Sequence, residues 1–332
     1  MTVKALRSRI KDNRPLRTIL FLAQNCYYSA RSGVAVGRRR RESAGAERYG
    51  LAAMIRVKDE ARFLPEWLAH HLNVGVEHVF VYDNNSTDDV ASVIAPFIDR
   101  GFVTYVPWPR VPASPSCHID FLARFGGTSR WVAFFDADEF LFEATPGALL
   151  EILRTSERRP AIAVNWRYFG SAGHETIPRG LVTERFDRAD AVYNRHVKVI
   201  AQPAMIRRHR NSHNFYYQRG RLAVTPDGRR VFGSFTTPPL NPRLELRHYV
   251  YRSREDYERK TRRGFVDASG YRERSRALAV VDDQFRQHND VRIDPEPRVT
   301  TATADLLRAL GYPDEIITSD AATAQRATQA PG

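Results

Sequence analysis

Residues 51–90 read LAAMIRVKDEARFLPEWLAHHLNVGVEHVFVYDNNSTDDV, and this stretch decides the class of fold. The apolar run at 51–57 predicts a buried strand, and apolar residues at helical spacing over 64–72 predict a helix that stops at Gly75. A second apolar run at 79–82 predicts the next strand. Strand, helix and strand in this order form the repeating unit of a parallel sheet.

The alternation of helices and strands continues along the chain. A predicted helix over 90–98 leads to a third strand over 102–106, and a predicted helix over 117–125 leads to a fourth strand over 131–135. We therefore predict an α/β protein with a Rossmann-like, doubly wound central sheet. Ligands of such sheets bind beyond the carboxyl ends of the strands, and polar residues cluster at those ends here.

The composition narrows the class of protein. The chain has 332 residues, of which 42% are hydrophobic and 27% charged, so it can bury a large core and is not broadly disordered. Its two cysteines, Cys26 and Cys117, form neither a disulfide framework nor a CxxC metal pair, which favours a reducing compartment. The net charge of +13 attracts nucleic acid, anionic lipid or phosphorylated substrates, and its sign alone does not choose among them.

The strongest chemical signal is the segment FFDADEF at 134–140. The fourth strand delivers Asp136 and Asp138 two positions apart, so both carboxylates can face the same side where the strand ends. Such oxygen ligands suit Mg²⁺ or Mn²⁺ bridging a diphosphate. The alternative is an acidic, solvated turn without a metal.

Two polar segments follow the first and second strands. Asp83 can accept hydrogen bonds from a ribose or base edge, with Asn84 and Ser86 supplying further polar contacts. The alternative is that Ser86 or Thr87 merely caps the next helix. Lys58, at the end of the first strand, is placed to meet nucleotide phosphates.

A third signal lies far downstream, in LRHYVYRSREDYERKTRRG at 246–264. A predicted strand carrying His248 runs into a capping box, Ser253 to Asp256. His248 could be a third metal ligand or a packed core residue. Lys260 could neutralise a leaving diphosphate, although cations are also expected in the last turn of a helix.

These segments together resemble glycosyltransferase family 92 and its relatives among the family 2-like GT-A enzymes. The resemblance runs in one order over roughly 51–265 and rests on MIRVKDEARFLPEWLAHHLNVGVEHVFVYDNNSTDD, FFDADEF, WRYFGSAGH, HVKVI and HYVYRSREDYERKTRRG. It implies a GT-A fold, a nucleotide-sugar donor (often UDP-galactose), Mn²⁺ and an inverting transfer. It also implies that Asp136 and Asp138 are the DxD acids and that His248 completes the metal site.

With this resemblance we divide the chain into four parts. Residues 1–50 form a basic extension, 51–160 the half that binds the nucleotide sugar, 161–290 the half that binds the acceptor, and 291–332 a partly disordered tail. We expect a Mn²⁺- or Mg²⁺-dependent transfer of a hexose from a UDP-sugar to a glycan or lipid-linked hydroxyl, as in polysaccharide biosynthesis.

An inverting transfer needs one base on the acceptor hydroxyl. Our first candidate is Glu184, with Glu175 and Asp187 as rivals. A plain salt bridge between Glu184 and Arg185 is the structural alternative.

Two other functions compete with this hypothesis. A nucleotidyltransferase acting on sugar phosphates also needs a metal–diphosphate site, but would usually carry a Gly-rich loop where VKDEARF stands. A basic nucleic-acid-binding protein would explain the charge but not the acids at strand ends, so we expect no nucleic-acid partner. No segment of the sequence reaches the apolar length of a transmembrane helix, and we expect a cytoplasmic enzyme, with peripheral contact to anionic membrane left open.

Overall fold

The computed structural model describes residues 23, 47–110, 113–239, 243–263, 265–267, 270–272 and 285–318. In these ranges the strands are β1 Tyr49–Val57, β2 His78–Asp83, β3 Val103–Pro107, β4 Ser129–Phe134, β5 Glu139–Glu143, β6 Ala161–Tyr168, β7 Arg188–Ala189, β8 Val197–Ala201, β9 Ile206–Asn211, β10 Asn214–Tyr217, β11 Leu244–His248, β12 Phe265–Asp267, β13 Gly270–Arg272 and β14 Val291–Arg292. The α-helices are α1 Leu64–Asn73, α2 Val90–Val93, α3 Ala95–Asp99, α4 Ser116–Arg124, α5 Ala148–Thr155, α6 Val182–Arg185, α7 Arg254–Arg263, α8 Pro297–Ala309 and α9 Asp314–Ile317.

Eight strands form one sheet in the order β3-β2-β1-β4-β8-β6-β11-β5. The first four are parallel, as the strand–helix alternation predicts. The rest of the sheet is mixed, because β8 runs antiparallel to both β4 and β6, and β11 is parallel to β6 but antiparallel to β5. The α/β prediction is therefore confirmed, while the purely parallel pairing extends over half of the sheet only.

The sheet is covered by apolar side chains on both faces. Along β1, Ala53 and Ile55 join one buried cluster, whereas Ala52 and Met54 join the other. This alternation is the two-residue period of a strand, and burial on both faces explains why β1 reads as a continuous apolar run. The carboxyl ends of β1, β2 and β4 lie together at one edge, since the three strands are parallel neighbours.

The predicted helix over 90–98 is two short helices, α2 and α3. Asp89 caps the first by accepting a hydrogen bond from the backbone N–H of Ser92 at 3.1 Å, so Ser86 does not cap it. Pro96 lies in the first turn of the second, where a missing N–H is tolerated. The break between the two helices follows from this proline.

Two boundaries differ from the sequence-based division. Strand β1 begins at Tyr49, so the sheet takes in the last residues of the predicted extension. Residues 291–318, which we assigned to a partly disordered tail, include α8; Leu307 on this helix and Leu310 just after it lie in the core. Residues 319–332 and nearly all of 1–46 lie outside the described residues. Within the described ranges, no helix combines the length and apolar character needed to cross a bilayer.

Candidate functional site

Hydrogen bonds fix the turn between β4 and β5, Asp136–Glu139, which we call the DADE turn. The indole N–H of Trp67 on α1 lies 3.1 Å from the carbonyl oxygen of Asp136 and 2.8 Å from that of Glu139. The backbone N–H of Asp136 donates to the buried Glu139 carboxylate at 2.9 Å. These bonds fix the backbone of the turn, which leaves the side chains of Asp136 and Asp138 as its outward groups.

Asp136 is paired with a buried lysine. Lys198, on β8 and 1% exposed, has its Nζ 2.6 Å from Asp136 Oδ2 and 3.4 Å from Glu139 Oε1. Burial by itself would raise the pKa of Asp136, but the charges of Lys198 and Arg56 lower it. Burial raises the pKa of Glu139 well above its ordinary value despite the opposing Lys198 charge. Lys198 is therefore a charge partner that favours the ionised form of Asp136.

Sequence reasoning did not assign Lys198 to the metal and diphosphate site. The available signal was a single lysine in the otherwise apolar strand VKVIA at 197–201. A buried lysine requires an anionic partner, but the sequence does not reveal which strand supplies it. The antiparallel insertion of β8 beside β4 brings the lysine to Asp136.

Asp138 joins the DADE turn to the downstream segment. Its Oδ1 lies 3.4 Å from Nε2 of His248, at the end of β11, and its Oδ2 lies 2.9 Å from Nζ of Lys260 on α7. Burial opposes ionisation, yet Lys260 and His248 hold the pKa of Asp138 well below its ordinary value. Three predicted site residues that are distant in sequence are thus in contact.

A buried arginine fixes α7 against the loop after β1. Arg252 donates to Glu60 Oε2 at 2.7 Å and to Asp256 Oδ2 at 2.9 Å, and its guanidinium lies 3.5 Å from the centre of the Phe63 ring. The backbone N–H of Asp256 donates to Ser253 Oγ at 3.1 Å, which is half of the predicted capping box. The Asp256 side chain binds Arg252, and this anchoring sets the position of Lys260.

The turn after β2 is held by its own polar side chains. Asp83 accepts hydrogen bonds from the Ser86 backbone N–H at 3.0 Å and from the Tyr105 hydroxyl at 2.6 Å. The buried Asn84 amide donates to the carbonyl oxygen of Trp108 at 2.9 Å, and Ser86 Oγ accepts from the Asp59 N–H at 3.0 Å. The hydrogen bonds described for Asp83, Asn84 and Ser86 therefore stabilise the conformation of this loop.

Lys58 and Glu184 complete the set of predicted residues. Lys58 is half-buried at the end of β1, beside that turn. Burial raises the pKa of Glu184 on α6, and the charges that act against this rise belong to Arg185 and Arg308. Neither arginine belongs to the group around Asp136 and Asp138, so the role of Glu184 as a base stays a prediction.

The two rival carboxylates have arginine partners. Glu175 pairs with Arg254 at 2.5 Å, and Asp187 pairs with Arg292 at 2.9 Å.

The geometry of Asp138 and His248 can be compared with the needs of a divalent ion. In the described part of the chain, no three His, Cys, Asp or Glu side chains converge as a complete metal-binding group. The pair is nevertheless suitable, because two ligands at right angles around an ion at ~2.1 Å are ~3 Å apart. The 3.4 Å between Asp138 Oδ1 and His248 Nε2 is close to this separation. The pair therefore fits two adjacent positions around an ion, with the remaining positions left to other oxygen ligands.

Comparison with known proteins decides the family. The family model described as "Glycosyltransferase family 92" matches residues 52–221, about half of the chain. The chain belongs to glycosyltransferase family 92. The prediction of the family is therefore confirmed.

Curated members of family 92 match part of this chain. A family 92 protein of Ricinus communis is 30% identical over 166 residues, which are 48% of this chain and 30% of the relative. One of Oryza sativa subsp. japonica is 29% identical over 161 residues, 47% of this chain and 28% of the relative. The matched region is thus less than a third of these relatives.

Solved structures give weaker likenesses. Residues 1–349 of S. aureus TarS give a TM-score of 0.36 at 11% identity, covering 77% of this chain and 70% of that chain. Glucosyl-3-phosphoglycerate synthase from Mycobacterium tuberculosis, in complex with Mn²⁺ and UDP-glucose, gives 0.25 at 19% identity, covering 43% and 50%. At such TM-scores neither likeness extends to individual residues. The GT-A class of fold is confirmed by family membership together with the mixed sheet flanked by helices.

Proposed function

We propose that this family 92 glycosyltransferase transfers a hexose from a UDP-sugar to an acceptor hydroxyl, with inversion and with a divalent ion bound beside the DADE turn. The observation that carries the proposal is the contact of Asp138 with both His248 and Lys260. Two carboxylates, an imidazole and two ammonium groups at the carboxyl end of β4 suit a metal-bound diphosphate better than a neutral ligand.

The ion would be held by Asp138 Oδ1 and His248 Nε2, with Asp136 adding the oxygen that Lys198 does not engage. When bound, it would neutralise charge on the departing diphosphate. An imidazole ligand favours Mn²⁺ over Mg²⁺, which prefers oxygen. Lys260 would approach the same diphosphate, and its link to Asp138 keeps it there before the donor arrives.

The nucleoside would lie over the turn after β2, between Lys58 and Asp83. This assignment is supported by the parallel pairing of β1 with β2 and of β1 with β4, which sets the two loops and the DADE turn at one sheet edge. One atom in this turn also supports a ligand. Asn84 Oδ1 is buried without a hydrogen-bond partner among the described residues, although its amide nitrogen is fully used. A water or ligand donor would satisfy it.

The donor class is tested by thermal shift with UDP-, GDP-, CDP- and dTDP-sugars, each with and without Mn²⁺. We expect stabilisation by the UDP series, increased by Mn²⁺, in the full chain. The matched control is Asp99→Asn, an exposed acid on α3, which should keep the Mn²⁺ effect that Asp138→Asn loses. Equal stabilisation of both variants would contradict the metal site, and stabilisation by another nucleotide series would contradict the UDP donor.

For the acceptor we propose a glycan or lipid-linked hydroxyl, reached from the cytoplasm at the inner face of the membrane. The net charge of +13 and the run Arg38–Arg41 support contact with anionic lipid headgroups.

A further inference from the structure

A second pair of titratable side chains, outside the predicted site, lies near His248. His288 Nδ1 is 2.7 Å from Asp190 Oδ1, and the two side chains are 18% and 21% exposed. Asp190 follows β7, and His288 precedes β14, the strand that pairs with β7. A histidine held through Nδ1 by a carboxylate presents its other ring nitrogen, Nε2, as a proton acceptor.

One aromatic ring separates this pair from the metal-site histidine. The centre of the Tyr168 ring is 5.2 Å from that of His248 and 4.5 Å from that of His288. Tyr251 also stacks on His288, at 5.5 Å and nearly parallel. The imidazole is therefore held among aromatic rings at the carboxyl end of β6.

The electrostatics of Tyr168 agree with this arrangement. Its burial raises the pKa of the hydroxyl, and the neighbouring Tyr251, Glu139, Asp138 and Asp190 raise it further. Acidic groups of both the DADE turn and the Asp190–His288 pair therefore act on the Tyr168 hydroxyl. The two groups share one local environment.

The backbone around His288 is fastened to the loop that follows β6. His288 has φ +64°, a conformation that residues with side chains adopt rarely and that tertiary contacts must hold. Ser171 Oγ donates to the carbonyl oxygen of Phe285 at 3.1 Å, and the Ala172 N–H donates to Asn289 Oδ1 at 2.9 Å. The segment 285–290 is therefore positioned by the same loop that ends β6.

We propose that His288, oriented by Asp190, is the general base that takes the proton from the acceptor hydroxyl. The inference rests on the proposed transfer. As the hydroxyl oxygen bonds to the anomeric carbon, its proton passes to His288 Nε2. The bond from that carbon to the diphosphate oxygen breaks, and its electron pair leaves with the diphosphate, toward Lys260. Asp190 accepts the Nδ1–H hydrogen bond and stabilises the imidazolium.

Asp190 is itself oriented by β6. Its backbone N–H donates to the carbonyl oxygen of Tyr168 at 2.9 Å, and Arg167 Nε donates to the Asp190 carbonyl oxygen at 3.0 Å. The backbone of Asp190 is therefore fixed, and its carboxylate contacts His288. Glu184, by contrast, has Arg185 and Arg308 as its charged neighbours.

The test measures UDP release from UDP-galactose by the full chain, with water and with p-nitrophenyl β-galactoside as acceptors, alongside Mn²⁺-dependent UDP binding. We expect His288→Ala to lower kcat ~100-fold or more, and Asp190→Asn to lower it substantially, with the Kd for UDP within about twofold of wild type. Gln287→Ala, an exposed neighbour in the same segment, should match wild type.

Two outcomes would overturn the inference. In the first, His288→Ala keeps kcat within a few-fold of wild type while Glu184→Gln loses it, which would make Glu184 the base. In the second, His288→Ala loses UDP binding in proportion to kcat, which would make the histidine structural. Failure of the wild-type chain to bind UDP would instead contradict the proposed donor and not the base.

Discussion

His248 and Asp138 face each other across 3.4 Å, although more than a hundred residues separate them in the chain. The contact is made by backbone pairing, because β11 pairs antiparallel with β5 and sets His248 opposite Glu139 at the end of the DADE turn. A rigid element therefore supports each of the two side chains. Strand pairing sets the backbone positions of both residues. Replacing either side chain should therefore leave the backbone of the site unchanged.

Asp138→Asn tests the carboxylate. The substitution removes a charge with little change of volume, so we expect UDP-sugar turnover to fall at least ~100-fold and the Mn²⁺-dependent gain in UDP affinity to disappear. Circular dichroism and thermal melting, with Asp99→Asn as control, would check that the fold is kept. Turnover within a few-fold of wild type would show that Asp138 is not a ligand.

His248→Ala tests the imidazole. We expect the midpoint of the Mn²⁺ titration of UDP binding to rise at least ~10-fold, with little loss of thermal stability, because His248 is the last residue of β11. The imidazole also packs 4.5 Å from the Trp166 ring, so a purely structural role is the competing explanation. A variant that melts earlier but keeps its Mn²⁺ midpoint would favour that explanation.

Asp256→Asn tests the anchor of α7. Burial opposes ionisation of Asp256, but Arg252, Lys260 and Arg259 lower its pKa. Removing this carboxylate leaves Arg252 buried with one anionic partner fewer, and we expect the free energy of unfolding at pH 7 to fall by about 3–5 kcal/mol. Urea titrations measure it, and Glu258→Gln, on the same helix beside an exposed arginine, should change it little.

The same variant has a defined pH dependence. Because the folded-state pKa of Asp256 is depressed, its contribution is present above the unfolded pKa of about 3.9 and is lost as pH falls through the folded value. The difference between wild type and Asp256→Asn should therefore shrink in urea titrations below about pH 4. A difference that stays constant from pH 7 to pH 3 would exclude the ion pair as its cause.

Gly170→Ala tests how the His288 segment is positioned. A Cβ at Gly170 would lie 2.6 Å from Asn289 Oδ1, and Asn289 is itself tied to Ala172. We expect kcat to fall several-fold while UDP binding is kept, since the displaced segment carries His288. In an Asn289→Ala background, the added methyl has no such neighbour and should have a smaller effect. Equal effects in both backgrounds would show that the contact is not the cause.

Truncation tests the basic extension. The Arg48 and Tyr49 backbone N–H groups both bond to the Thr128 carbonyl oxygen, so a shortened chain should start at Glu47 and not inside β1. We expect this variant to fold and to keep its turnover, but to bind phosphatidylserine vesicles less tightly in a sedimentation assay. Loss of Arg38–Arg41 removes about 1 kcal/mol of membrane-binding free energy per arginine. Unchanged vesicle binding would contradict the membrane role alone.

The sequence by itself determined the parallel half of the sheet, helix α1 and the position of the DADE turn. Those features depend on local periodicity and on Asp136 and Asp138 following an apolar strand, and local periodicity does not need the rest of the chain. It also singled out His248 and Lys260, through their place in the resemblance to family 92. The sequence could not decide whether Asp83, Asn84 and Ser86 bind a ligand or stabilise their own turn. Polar side chains in a loop are equally suited to both roles.

Only the tertiary structure decided the partners of the charged groups. The antiparallel entry of β8 between β4 and β6 gives Lys198 to Asp136, and the pairing of β7 with β14 brings His288 to Asp190. Both contacts join residues far apart in sequence. Their formation depends on strand order and register, which are set by how buried surfaces fit across the whole sheet and not by any local pattern. The structure therefore identified the Asp190–His288 pair as a candidate base that the sequence did not indicate.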